Sequence, residues 1–139
     1  MGFSLRLPKG KLDKLGIKTV YLFGSQAQKT TGPLSDFDFG ILLEDPNILN
    51  EAERKIKLYN ELYDIFISKI KKFVTIDIVF LDQATLQLQY QAIKHGEVLY
   101  PPYPANLKIT ADFKQRVLER YLDFAPLRRE FDKFILERI

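Results

Sequence analysis

The sequence predicts an α/β domain in which short strands alternate with amphipathic helices. β-branched and aromatic residues cluster in runs at 18–23, 36–43 and 74–81, each bounded by turn-forming residues. Between and beyond these runs, apolar residues return every three or four positions, which gathers them on one face of a helix.

"KTVYLF", 18–23, reads as a buried strand ending at Gly24. "DFDFGILL", 36–43, alternates before turning wholly apolar, and "EDPN" stops it; this is a second strand. From Asn50 to Lys71, residues such as Leu58, Leu62, Phe66 and Ile70 recur at helical spacing with charged residues between them. A helix therefore links the second strand to a third, "VTIDIVFL" at 74–81. Asp82 or Thr85 is placed to cap the next helix, which runs through "LQLQYQAIKH" to Gly96, a good terminator. A short strand, "EVLY", follows.

"PPYP" at 101–104 can continue neither a helix nor a sheet ladder and acts as a stiff connector. Beyond it, Phe113, Val117, Tyr121, Phe124 and Leu127 mark a long amphipathic helix, with Pro126 a kink or break. The expected organisation is one domain: a core over 1–104 and a C-terminal helical extension over 105–139.

Composition narrows the function. With 139 residues, 46% of them hydrophobic, the chain is the length of one domain able to bury its own core. The formal charge is +3, but 21 basic and 18 acidic residues are interspersed, so nucleic acid is not indicated as a partner. The absence of cysteine removes disulfides, thiolate metal sites and a cysteine nucleophile, and a single histidine leaves little for zinc. His95, just before Gly96 at a helix end, fits a dipole role better than catalysis. No segment is long and apolar enough for a signal peptide or a membrane span, so a soluble, cytoplasmic protein is expected.

Against that background the aspartates stand out. Side chains of a strand alternate faces, so Asp36 and Asp38 point the same way, roughly 7 Å apart, while Phe37 and Phe39 point into the core. A third, Asp77, sits between isoleucines at the centre of its strand, although aspartate is costly to desolvate there. Should the two strands be neighbours in register, all three carboxylates converge, and their repulsion calls for neutralising cations. Hard oxygen donors without histidine or cysteine suit Mg²⁺ or Mn²⁺, whose open positions accept phosphate oxygens. Taken singly, a D-x-D on a half-exposed strand is equally a solvated face, and Asp77 could answer a nearby lysine.

Gly24 and Ser25 complement the aspartates. Glycine directly after a strand lets a ligand approach the backbone, and Ser25 with exposed N–H groups can hold a triphosphate. Neither a G-x-x-x-x-G-K-[ST] loop nor a G-x-G-x-x-G fingerprint occurs, so a nucleotide would be held in another way.

Gly24-Ser25, ten residues, Asp36-Phe37-Asp38, then Asp77 on a later strand resembles the DNA polymerase beta superfamily of nucleotidyltransferases. The length, with "FLDQATLQLQYQAIKHGEVLY" and the C-terminal "RVLERYLDFAPLRREFDKFILERI", is similar to the minimal nucleotidyltransferases of the MntA antitoxin type, which pair with HEPN-domain toxins. The resemblance covers nearly the whole chain. It implies a mixed sheet flanked by helices and two Mg²⁺ ions held by Asp36, Asp38 and Asp77. Gly24, Ser25 and Lys29 would bind the nucleotide, and AMP would pass from ATP to a tyrosine hydroxyl of a partner HEPN toxin, with Asp77 a candidate proton acceptor. Association as a homo- or hetero-oligomer is also implied. The chain departs from the pattern in carrying Gln26 and Gln28 in "QAQK" where arginines are usual, which leaves the phosphates to Lys29.

Two other readings fit the residues. The chain could neutralise its partner by binding and masking it, with weak or no catalysis. It could also transfer nucleotides to a small molecule or an RNA end, though relatives of that kind carry an additional domain.

Overall fold

The computed structural model describes residues 6–23, 37–70 and 75–123. Among them the order is α1 (Lys9–Lys14), β1 (Ile17–Phe23), β2 (Phe37–Leu43), α2 (Ala52–Ile70), β3 (Ile76–Phe80), α3 (Leu86–His95), β4 (Glu97–Tyr100) and α4 (Asn106–Asp123). The strands form one sheet in the order β3-β2-β1-β4. β1 pairs antiparallel with β2 and β4, whereas β2 and β3 run parallel, so the sheet is mixed, as expected. A parallel pair cannot be closed by a tight turn, and α2 supplies the crossover.

The alternation of side chains separates two apolar layers. Phe37, Phe39, Ile41 and Leu43 of β2, with Ile76, Ile78 and Phe80 of β3, pack against Leu58, Leu62, Ile65 and Phe66 of α2. The opposite face carries Tyr21, Phe23 and Leu42 against Leu81, Ala92, Phe113 and Val117, so α3 and α4 cover it. β1 changes phase between Ile17 and Val20, both facing α2, because its register with β2 slips between Ile17 and Thr19, the mark of a bulge.

Local chemistry sets the element ends. A 3₁₀ turn at Pro46–Asn50, capped by Asp45 accepting from the Asn47 N–H at 3.1 Å, precedes α2, so the helix begins at Ala52 and not at Asn50. Thr85 is the cap of α3, its Oγ1 accepting from the Leu88 N–H at 3.2 Å. Asp82 is not; its carboxylate accepts instead from the Leu43 N–H at 2.9 Å, tying the chain after β3 to the end of β2.

Gly96 ends α3 as expected, but with φ −76°, outside the left-handed region. The glycine is needed for a different reason: a Cβ there would lie 2.1 Å from the Ala92 carbonyl oxygen and 3.2 Å from Tyr21 Cδ1. The short α1 was not legible, since one buried residue, Leu12, makes no period. It is followed by Gly16 at φ +73°, a left-handed turn that suits glycine. The Tyr100 hydroxyl donates to the Asp13 carboxylate and fastens α1 to β4. Pro126 and the rest of the C-terminal run lie outside the described residues.

Candidate active site

Asp38 is the second residue of β2 and Asp77 the second of β3, and the parallel register makes them direct partners. Adjacent strands are roughly 4.8 Å apart, so the two carboxylates leave neighbouring backbones side by side. Their strand neighbours Phe37, Phe39, Ile76 and Ile78 are buried towards α2, which turns both aspartates to the α3/α4 face. Asp38 is half-buried and Asp77 exposed. The pairing extends below them, with the Phe37 N–H donating to the Thr75 carbonyl at 2.9 Å, so the register is held on both sides of the pair.

The third strand at this place is β1. Its last residue, Phe23, is the register partner of Asp38, so the residue before Gly24 lies on the other side of that carboxylate from Asp77. Asp36, Gly24, Ser25 and Lys29 lie outside the described residues. Two of the three expected carboxylates are thus brought together.

The donor set fits a hard divalent cation. Two carboxylates stand side by side, hard oxygen donors of the kind such an ion takes. Among the described residues no group of three or more potential ligands assembles.

The family profile described as "Polymerase beta, Nucleotidyltransferase" matches residues 10–102, from α1 through β4 and more than half of the chain. The chain belongs to this nucleotidyltransferase family. No curated protein matches it significantly. Solved structures share the nucleotidyltransferase's fold. A toxin–antitoxin crystal structure with AMP-PNP gives a TM-score of 0.61 at 21% identity, covering 94% of this chain and 99% of that one. A toxin–antitoxin mutant, in which two aspartates two residues apart are changed to glutamate, gives 0.59 at 19% identity, covering 94% and 99%. A MntA-HepT toxin–antitoxin structure gives 0.50 at 21%, covering 92% and 96%.

In the nucleotidyltransferase two hollows lie apart from the aspartates. One, of about 530 Å³, lies between α1 and α2 beside Lys11, Leu15, Asp64 and Ser68. The other, of about 370 Å³, is framed by Asp82, Gln89, Phe113, Arg116 and Arg120. Around the second, burial raises the Asp82 carboxyl above the usual carboxylate range, against the Leu43 N–H and the charges of Arg116 and Lys18. Gln89, 3% exposed, donates to the Leu81 carbonyl at 2.6 Å and accepts from Arg120 Nη2 at 2.6 Å. Polar spacing in "LQLQYQ" gave no sign of that buried amide. Gly40, beside the aspartates, also went unread, its alternation signal being the same as that of any small residue in a strand.

Proposed function

We propose that this nucleotidyltransferase transfers AMP from ATP to a hydroxyl, that of a tyrosine on a partner HEPN toxin, and serves as the antitoxin of such a pair in the cytoplasm. The observation that carries the reading is the register partnership of Asp38 and Asp77, with Phe23 completing the row. Asp36, two residues before Asp38 in the sequence, would supply the third carboxylate.

Asp36, Asp38 and Asp77 would hold two Mg²⁺ or Mn²⁺ ions. Bound there, such ions orient the α-phosphate, acidify the attacking hydroxyl and offset charge on the leaving pyrophosphate. Gly24 and Ser25 hold the triphosphate through backbone N–H groups and the hydroxyl, and Lys29 adds its charge in place of the usual arginines. Asp77, the more exposed of the described pair, accepts the proton of the acceptor hydroxyl. The hydroxyl oxygen bonds to the α-phosphorus, the bond from that phosphorus to the bridging oxygen breaks, and pyrophosphate leaves. The AMP-PNP held by one fold neighbour, and the paired aspartates altered in another at the spacing of Asp36 and Asp38, support this reading.

The test is to incubate the protein with α-labelled ATP, Mg²⁺ and the HEPN protein encoded beside it. Label moves to the HEPN protein, and the Asp38→Asn/Asp77→Asn variant moves none. Failure of label to transfer to a folded partner refutes the catalytic reading. Neutralisation by masking is favoured by one observation, the exposure of Tyr103 (76%) in the turn before α4 and of Leu107 (56%) in its first turn, apolar side chains suited to a protein contact. Under masking, the double asparagine variant still neutralises the toxin.

A further inference from the structure

Gly40 follows Asp38 by two residues on β2, so any side chain at that position would stand on the same face as the aspartates. A Cβ there would lie 2.8 Å from Leu81 Cδ1, and 3.1 Å from both Leu81 Cγ and Phe23 Cε1. Phe23 is not the cross-strand partner of Gly40; Tyr21 is, and Phe23 is opposite Asp38. The Phe23 ring therefore reaches diagonally across the ladder to lie against Gly40. Gly40 is thus a diagonal neighbour of Phe23, two residues on from its cross-strand partner.

We infer that Gly40 is a positioning residue for the nucleotide site: by having no side chain it gives the Phe23 ring a resting place away from the carboxylates. This inference rests on the function proposed above. Leu81 follows Phe80, the register partner of Ile41, and so closes the side of Gly40 remote from Asp38. Leu81 is fully buried, so its Cδ1 can yield to a new methyl group only within the core. A methyl group at position 40 pushes the Phe23 ring back by some tenths of an ångström, towards its cross-strand partner Asp38. The displaced apolar ring crowds that oxygen donor, which then loses water and access to cation and phosphate.

The experiment measures MgATP binding by calorimetry and Mn²⁺ binding by electron paramagnetic resonance, with circular dichroism and ligand-free melting to confirm the fold. Gly40→Ala is expected to weaken MgATP binding about tenfold, a modest overpacking effect expressed at the site. Gly40→Ala with Phe23→Leu recovers most of the affinity. Gly40→Ala with Leu81→Ala, where the shorter of the two contacts is removed, stays weak. Wild-type affinity in Gly40→Ala, or recovery through Leu81→Ala but not through Phe23→Leu, overturns the inference. If the single variant does not fold, the two double variants decide alone. Absence of MgATP binding by the wild type refutes the function proposed above and this inference with it, whereas binding by the wild type and by Gly40→Ala alike refutes this inference only.

Discussion

Asp38 and Asp77 are register partners on adjacent parallel strands, two acidic side chains facing the same way with Phe23 on the next strand over. Like charges directly opposite each other in a sheet are destabilising by some tenths of a kcal/mol. An arrangement that costs stability when empty and can be neutralised by a cation predicts opposite responses in fold and function. Asp38→Asn and Asp77→Asn should each hold or raise the melting temperature in chelator while abolishing labelled AMP transfer. Added Mg²⁺ with ATP should raise the melting temperature of the wild type and leave the double variant unmoved. A double variant that still gains stability from MgATP would remove these carboxylates from the site.

The sheet that carries the pair is anchored from the other face. The Phe39 and Phe66 rings stack with centroids 4.0 Å apart and an interplanar angle of 10°, both fully buried. Phe66→Ala should cost about 3–5 kcal/mol in urea unfolding, through lost burial and the cavity left between α2 and β2. Phe66→Leu should cost clearly less, because it refills most of the volume.

On the opposite face, Gln89 joins α4 to the end of β3 by donating to Leu81 and accepting from Arg120. Gln89→Leu leaves the Leu81 carbonyl buried without that donor and should cost about 1–3 kcal/mol. Arg120→Ala removes an exposed partner and should cost less; equal losses would mean that the amide acts only through Arg120.

Two tyrosines predict the alkaline limit of the fold. Burial pushes Tyr21 up from 10.0 to about 12, against the pull of Arg116. Tyr100 is also pushed up to about 12, first by burial, then by its hydrogen bond to the Asp13 carboxylate and the charges of Asp13 and Glu44. In the unfolded chain these hydroxyls ionise near 10, so between pH 10 and about 12 the folded state binds more protons and stability falls as pH rises. Below pH 10 the contribution is complete. Urea midpoints measured from about pH 9 to about pH 11 should drop for the wild type and drop less for Tyr21→Phe and Tyr100→Phe. Parallel curves for all three proteins would contradict this assignment.

What was readable along the chain follows from local physics. Strand runs, the helical periods of α2 and α4, the ends of α3 at a cap of Asp82 or Thr85 and at Gly96, and the shared direction of alternate residues in β2 all depend on neighbours within a few positions, and each was visible in the pattern. The features that escaped were long-range or too short for a period: α1 with its single buried leucine, the Asp82 carboxylate turned to Leu43, the buried Gln89, and the Gly40 slot occupied by Phe23 and Leu81. A polar residue in a helix reads as exposed until another helix is laid over it, and a glycine in a strand reads as small until it is known what leans on it.

By itself the sequence determined that Asp38 and Asp77 lie on strands, and that Asp38 is turned away from the core that Phe37 and Phe39 enter, because these are consequences of local composition and a two-residue period. Only the tertiary structure decided that β3 lies beside β2 and not at the other edge, and that Asp77 meets Asp38 in register. Strand order and register are fixed by where α2 can cross and pack its apolar face, and one residue of slip would have turned Asp77 into the core.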